Sequence, residues 1–189
     1  MMSETLPVDA TARALLRHVL ATVAYRGAKV LRDVPDGFAN STVHAATRTP
    51  VQIVAHMADL MAWGVTLARG EYVWKAEGSD DWEAEVDRFF EQLAALDREL
   101  QSMATAGAVE QLIQGPLADV LTHVGQLAML RGMTGSPIRP ESYARAGIVI
   151  GRTGREQAVP NREFDGDASR RRHQASLSRP ESPGGDARE

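Results

Sequence analysis

Asp119 and His123 stand four residues apart in the segment Pro116-Leu117-Ala118-Asp119-Val120-Leu121-Thr122-His123-Val124-Gly125-Gln126-Leu127. On a helix this spacing sets the two Cβ atoms about 5–6 Å apart on one face. A carboxylate and an imidazole so placed can share one metal ion or hydrogen-bond to each other. The apolar stripe of the segment is Val120, Val124, Leu127 and Leu130 or Arg131; His123 falls inside it and Asp119 borders it. A charged group facing a core is costly unless it is paired or bound to a metal. A second histidine, His56, lies one helical turn after Ile53 and one turn before Leu60 and Trp63, beside the stripe Ile53, Met57, Leu60, Gly64 and Leu67. Facing helices of a bundle commonly supply such ligands. The pattern alone leaves two readings open: a metal or catalytic site, or histidines hydrogen-bonded within a core.

The elements that must position these residues read as helices. Leu15, Leu16, Val19, Leu20 and Val23 predict a first helix from Asp9 to about Val34, closed by Pro35-Asp36-Gly37. Thr49-Pro50 starts the second, with Thr as N-cap and Pro at the first helical position, and it runs to about Arg69 with Gly70 as the stop. Asp80-Asp81-Trp82-Glu83 suggests a capping-box-like start for the third, which carries Val86, Phe89, Phe90, Leu93, Leu96 and Leu100 and closes at Ala106-Gly107. After a short Val109–Gln114 segment and a Gly115-Pro116 break, the fourth covers Pro116 to about Met133. Residues 138–155 read as a trailing arm with one β-like run, Ile148-Val149-Ile150. The fold class expected is all-α, a four-helix bundle.

Composition bounds the chemistry. The chain has 189 residues, a formal charge of −4 and no cysteine. A disulfide framework, a Cys-ligated zinc site, an iron–sulfur cluster and a cysteine nucleophile are therefore excluded. A pI near 5.8 argues against nucleic-acid binding through a basic surface. No uninterrupted apolar run reaches a membrane span, and the N-terminal segment lacks a signal pattern, so a cytoplasmic protein with no membrane partner is expected. Residues 1–155 are read as the bundle domain and 156–189 as a disordered polar tail, because the stretch from Pro160 holds only Phe164 and Leu177 as large apolar side chains. The run Arg170-Arg171-Arg172-His173 is read as solvated tail.

The stretch Gln114-Gly115-Pro116-Leu117-Ala118-Asp119, with His123-Val124-Gly125-Gln126 and Leu130-Arg131, resembles the last bundle helix of the DinB-like (DinB/YfiT-like) metalloenzyme family. Thr49-Pro50-Val51-Gln52-Ile53-Val54-Ala55-His56-Met57 resembles that family's first ligand helix, and Ser142–Arg152 fits a subfamily tail. The resemblance covers about residues 10–155. It implies an up–down–down–up four-helix bundle with a divalent metal in its core. It carries the histidine of the second helix onto His56, and the last-helix His-x-x-x-His pair onto Asp119 and His123. Asp119 departs from the family pattern: it leaves either a two-histidine, one-carboxylate site or a weakened one. Such a donor set suits zinc or nickel, with iron or manganese as alternatives. Three protein ligands leave positions open for an external low-molecular-weight thiol or a small-molecule substrate. The resemblance thus implies a metal-dependent thiol transferase or isomerase and a homodimer. The rival reading is a non-enzymatic dimeric stress or interaction bundle with a degenerate site.

Other residues carry weaker expectations. Asp59, one turn after His56, reads as a solvated flank position, with support of His56 as the functional alternative. Gln126 lines a cavity or packs between helices, and Gly125 allows close helix approach. His18 and His44 read as exposed. Trp63, Trp74 and Trp82 read as core, and Arg131 as a favourable charge near a helix C-terminus. No separate general base stands out.

Overall fold

Thr49-Pro50-Val51-Gln52 starts its helix by a reciprocal exchange. The Gln52 backbone N–H donates to Thr49 Oγ1 at 3.5 Å, and the Thr49 N–H donates to Gln52 Oε1 at 3.1 Å, with Pro50 at the first helical position. The computed structural model describes residues 10–103 and 108–164. Four long helices dominate it: α1 (Ala10–Leu31), α2 (Pro50–Ala68), α3 (Trp82–Ser102) and α5 (Ala118–Met133), with the single turn α4 (Val109–Leu112) before the last. No β-strand occurs among the described residues, so the fold is all-α. α2 packs on α3 and α5, and α1 packs on the same two.

α2 ends as expected at Gly70, whose φ of +81° suits a residue without Cβ; the Glu71 N–H reaches Thr66 O and the Gly70 N–H reaches Leu67 O, both at 2.9 Å. Its stripe of Ile53, Met57, Leu60, Gly64 and Leu67 is buried, as are Val86, Phe89, Phe90, Leu93, Leu96 and Leu100 of α3. The close approach expected at Gly125 occurs instead at Gly64. A Cβ there would lie 2.8 Å from Leu96 Cδ2, whereas one on Gly125 would meet nothing within 4 Å. α2 also has the length and hydropathy of a membrane span, and 67% of that window is buried among its neighbours.

Several local expectations change. α1 stops at Leu31, and Leu15 faces solvent because the buried line runs through Leu16, Leu20 and Val23. α3 is capped by Asp81, which accepts from the Ala84 N–H at 3.1 Å; no carboxylate occupies the third helical position, so no capping box forms. The expected closure of α3 at Ala106-Gly107 lies outside the described residues. A π-turn over Ile113–Leu117 precedes α5, broken at Gly115 (φ −94°, ψ −107°) next to Pro116, which has no N–H to continue the ladder. The run Ile148–Ile150 is not a strand: Gly147 and Gly151 take positive φ on either side, and the Arg152 N–H turns back onto Val149 O at 3.2 Å.

The described chain divides into two compact units, residues 10–138 with 147–159, and residues 139–146 with 160–164. In the second, the Ser142 N–H donates to Arg162 O and the Phe164 N–H to Pro140 O, both at 3.1 Å. Residues 160–164, assigned from composition to a disordered tail, are thus held by backbone pairing rather than by apolar burial. Residues 156–159 of the same expected tail belong to the first unit, where the Gln157 side chain donates to Arg152 O and Gly154 O at 3.2 and 2.7 Å, and 165–189 lie outside the described residues.

Arginines tie the helices of the first unit, Arg17 and Arg131 among them. Arg17 of α1 grips Asp97 of α3 at 2.8 and 3.0 Å. Arg131, buried near the end of α5, donates to Val30 O, Arg32 O and Asp33 O at 3.2, 2.6 and 3.1 Å, and to Ser136 O and Oγ at 3.0 and 2.8 Å. It therefore caps the carbonyl end of α1 as well as meeting the dipole of its own helix. Replacing Arg131 by Met should destabilise the protein by about 2–3 kcal/mol, since buried carbonyls lose a charged donor. Urea unfolding measures this, and a change within experimental error would remove Arg131 from the scaffold.

Candidate metal centre

α2 and α5 bring the three expected residues together. His56 projects from α2 and Asp119 and His123 from successive turns of α5. Their donor atoms all lie within 4.8 Å of one another, so the group could hold a metal ion. His56 Nε2 is 3.6 Å from Asp119 Oδ2, and His123 Nε2 is 3.4 Å from Asp119 Oδ1. The two imidazoles meet edge to face, with centroids 4.9 Å apart at 85°. His123 is the buried member at 7% exposure, His56 is half-buried, and the Asp119 carboxylate is 45% open to solvent.

The histidine–carboxylate separations identify what the arrangement can do. They exceed the roughly 2.7–3.2 Å of a hydrogen bond. The 3.4 Å from His123 Nε2 to Asp119 Oδ1 is close to the roughly 3.3 Å expected between donors bound ~2.0–2.1 Å from one tetrahedral ion, and His56 Nε2 lies 3.6 Å from the other carboxylate oxygen, so both contacts also fall within ion-pair range. Gln126, one turn along α5, has Oε1 2.7 Å from His123 Nδ1. In the tautomer protonated at Nδ1, His123 donates to that amide and leaves the Nε2 lone pair facing Asp119.

A loop over residues 69–81 lies beside this group. Trp74 from the loop sits edge-on to His56 at 5.7 Å and to Trp63 at 5.9 Å, and Tyr72 meets Trp63 at 5.4 Å. The tryptophans expected in the core thus include one, Trp74, that is 43% exposed and walls the site. The loop is pinned by Asp59, which is buried rather than solvated because α3 supplies Arg88 as its partner. Asp59 Oδ1 accepts from Arg88 at 2.7 Å and from the Glu77 N–H at 3.2 Å. Arg88 also donates to buried Glu85 at 2.7 Å and to Ala55 O at 2.9 Å, and Glu85 accepts from the Ser79 N–H. Gly78 passes so close to α2 that a Cβ would lie 2.7 Å from Ala55 Cβ.

Two clefts flank the histidines. One of about 340 Å³ is lined by Arg48, Gln52, His56, Asp59 and Ser79 among others, and one of about 280 Å³ by Arg48, Ile53, His123, Gln126 and Met129. Arg48 borders both, and sequence reasoning missed it. The available signal was its place directly before the Thr49 N-cap, where the helix dipole disfavours a cation. His18 and His44 are exposed as expected, and neither joins the group. No protein-family model, curated protein or solved structure matches the chain.

Burial disfavours the charged form of His56, the positive charges of Arg48 and His123 act in the same direction, and Asp119 and Asp59 only partly offset them; its pKa is lowered from the ordinary 6.5. The unfolded chain therefore takes up this proton at higher pH than the folded one, and stability is lost as pH falls below about 6.5. Calorimetry on metal-free protein should show the melting temperature falling between about pH 7 and 5.5, and falling less in His56→Gln. An equal fall in both proteins would contradict the assignment.

Proposed function

We propose that this chain is a DinB-like protein that binds a divalent metal ion through His56, Asp119 and His123 and acts as a metal-dependent enzyme on a small molecule. The observation that carries the reading is the convergence of three N and O donors from two helices at separations too long for hydrogen bonds and suited to one shared ion. In the rival, a non-enzymatic bundle, the same three groups form plain histidine–carboxylate ion pairs, and metal content separates the two readings. Two nitrogens and one carboxylate favour zinc or nickel.

The ion, when bound, supplies Lewis acidity and a positive charge that stabilises an anionic nucleophile. The chain's residues do the rest. His56, with its depressed pKa, stays neutral near pH 7 and keeps a lone pair available. Gln126 orients His123. Asp119, nearly half exposed, leaves one side of the group open to an incoming molecule. Trp74 packs edge-on against His56 and Trp63 and so forms one wall of the group. Asp59 is committed to Arg88 and so is not free to act as a base. A chain without cysteine must take any sulfur nucleophile from outside, which fits a thiol-dependent transferase or isomerase as the specific form.

Elemental analysis of purified protein should find about one divalent ion per chain, lost in His123→Ala. Competition against a chelating dye should show Gln126→Ala weakening zinc affinity about 10–100-fold, as for other groups that orient a ligand. Protein that takes up no zinc, nickel, iron or manganese would sink the proposal.

A further inference from the structure

We infer that Arg48 is the carboxylate anchor of this site, so that the molecule reaching His56, Asp119 and His123 is a small anion with a carboxylate beside its metal-directed group. This rests on the metal-dependent reading above.

Arg48 lines the cleft at His56 and also the cleft at His123, so it borders both approaches to the histidines. It is exposed, and among the described residues it has no hydrogen-bond or ion-pair partner. The arginines that hold the scaffold differ: Arg17, Arg88 and Arg155 grip carboxylates and Arg131 grips carbonyls. Arg48 also stands at the positive end of α2, where the dipole works against a cation, so the fold gains nothing from its charge there. Its backbone is nevertheless fixed, because the next residue, Thr49, is locked in the capping box.

The charge balance points the same way. A divalent ion on neutral His56, neutral His123 and ionised Asp119 leaves one net positive charge, and Arg48 adds a second. Asp59 and Asp80 both line the first cleft, and Arg88 is shared between Asp59 and Glu85, so the positive field favours the second cleft, where Arg48 and His123 stand with no carboxylate in the lining. A single planar guanidinium beside one cationic centre suits a carboxylate, which it can hold with two parallel N–H donors.

The test uses the full chain loaded with cobalt(II), whose thiolate charge-transfer absorption reports a bound thiol. Thioglycolate and 2-mercaptoethanol are titrated into wild type, Arg48→Ala and Arg48→Lys. Wild type should favour thioglycolate over 2-mercaptoethanol about tenfold more than Arg48→Ala does, a difference of ~1.4 kcal/mol. Arg48→Lys should keep part of that preference, and the 2-mercaptoethanol affinity should be the same in all three proteins. Comparing variants cancels the intrinsic difference between the two thiols. An equal ratio in wild type and Arg48→Ala overturns the inference. If wild type takes up no cobalt, the metal reading fails by itself. Ligand-detected NMR on the metal-free proteins then decides the Arg48 inference: thioglycolate should broaden with wild type and not with Arg48→Ala, and equal broadening overturns it.

Discussion

Two imidazoles and a carboxylate can face one another inside a helical protein only if the helices that carry them are held in fixed register. His56 and His123 are 4.9 Å apart between ring centroids, so a small rotation of either α2 or α5 would separate them. The rest of the structure serves that constraint. The capping box and the Gly70 stop define both ends of α2. Gly64 lets Leu96 press against α2, and Arg131 fastens the end of α5 to the end of α1. The break at Gly115 sets where α5 begins and therefore which way Asp119 points.

A buried ion cluster organises the other side of the site. Arg88 holds Asp59, Glu85 and the Ala55 carbonyl at once, and the two acids in turn hold the backbone of the 69–81 loop. Burial works against the Arg88 cation, yet its hydrogen bonds with Asp59 and Glu85 outweigh this and its pKa is raised. Removing one member would strand the others in an apolar setting, the costly case for buried charges. The cluster is therefore a fastener for the wall that carries Trp74, and its carboxylates are spent in that role.

Much of this was legible in the amino-acid sequence, for physical reasons that differ by residue. Helices with strong local signals read correctly: Thr49-Pro50 and Gly70 around α2, and the apolar stripe of α3. His56, Asp119 and His123 could be picked out because polar groups on an apolar face break a periodic pattern. Partners from other helices were not legible. Asp59 reads as solvated until Arg88, 29 residues away, is seen to meet it. The helix contact assigned to Gly125 belongs to Gly64, since a glycine's neighbours depend on helix rotation and not on its own identity. Ile148-Val149-Ile150 has strand composition but lies between two glycines with positive φ, and no second strand is there to pair with it among the described residues.

The aromatic wall gives the molecule an optical property of its own. Trp74 meets His56 and Trp63 edge-on, whereas Trp82, at the start of α3, meets Phe38 edge to face at 5.8 Å. An imidazolium beside an indole quenches its emission. Trp74 thus registers the state of that histidine, while Trp82 reports on the integrity of the core. Intrinsic fluorescence resolved by single Trp→Phe replacements can therefore follow proton or ion uptake at the site separately from unfolding, without an attached label.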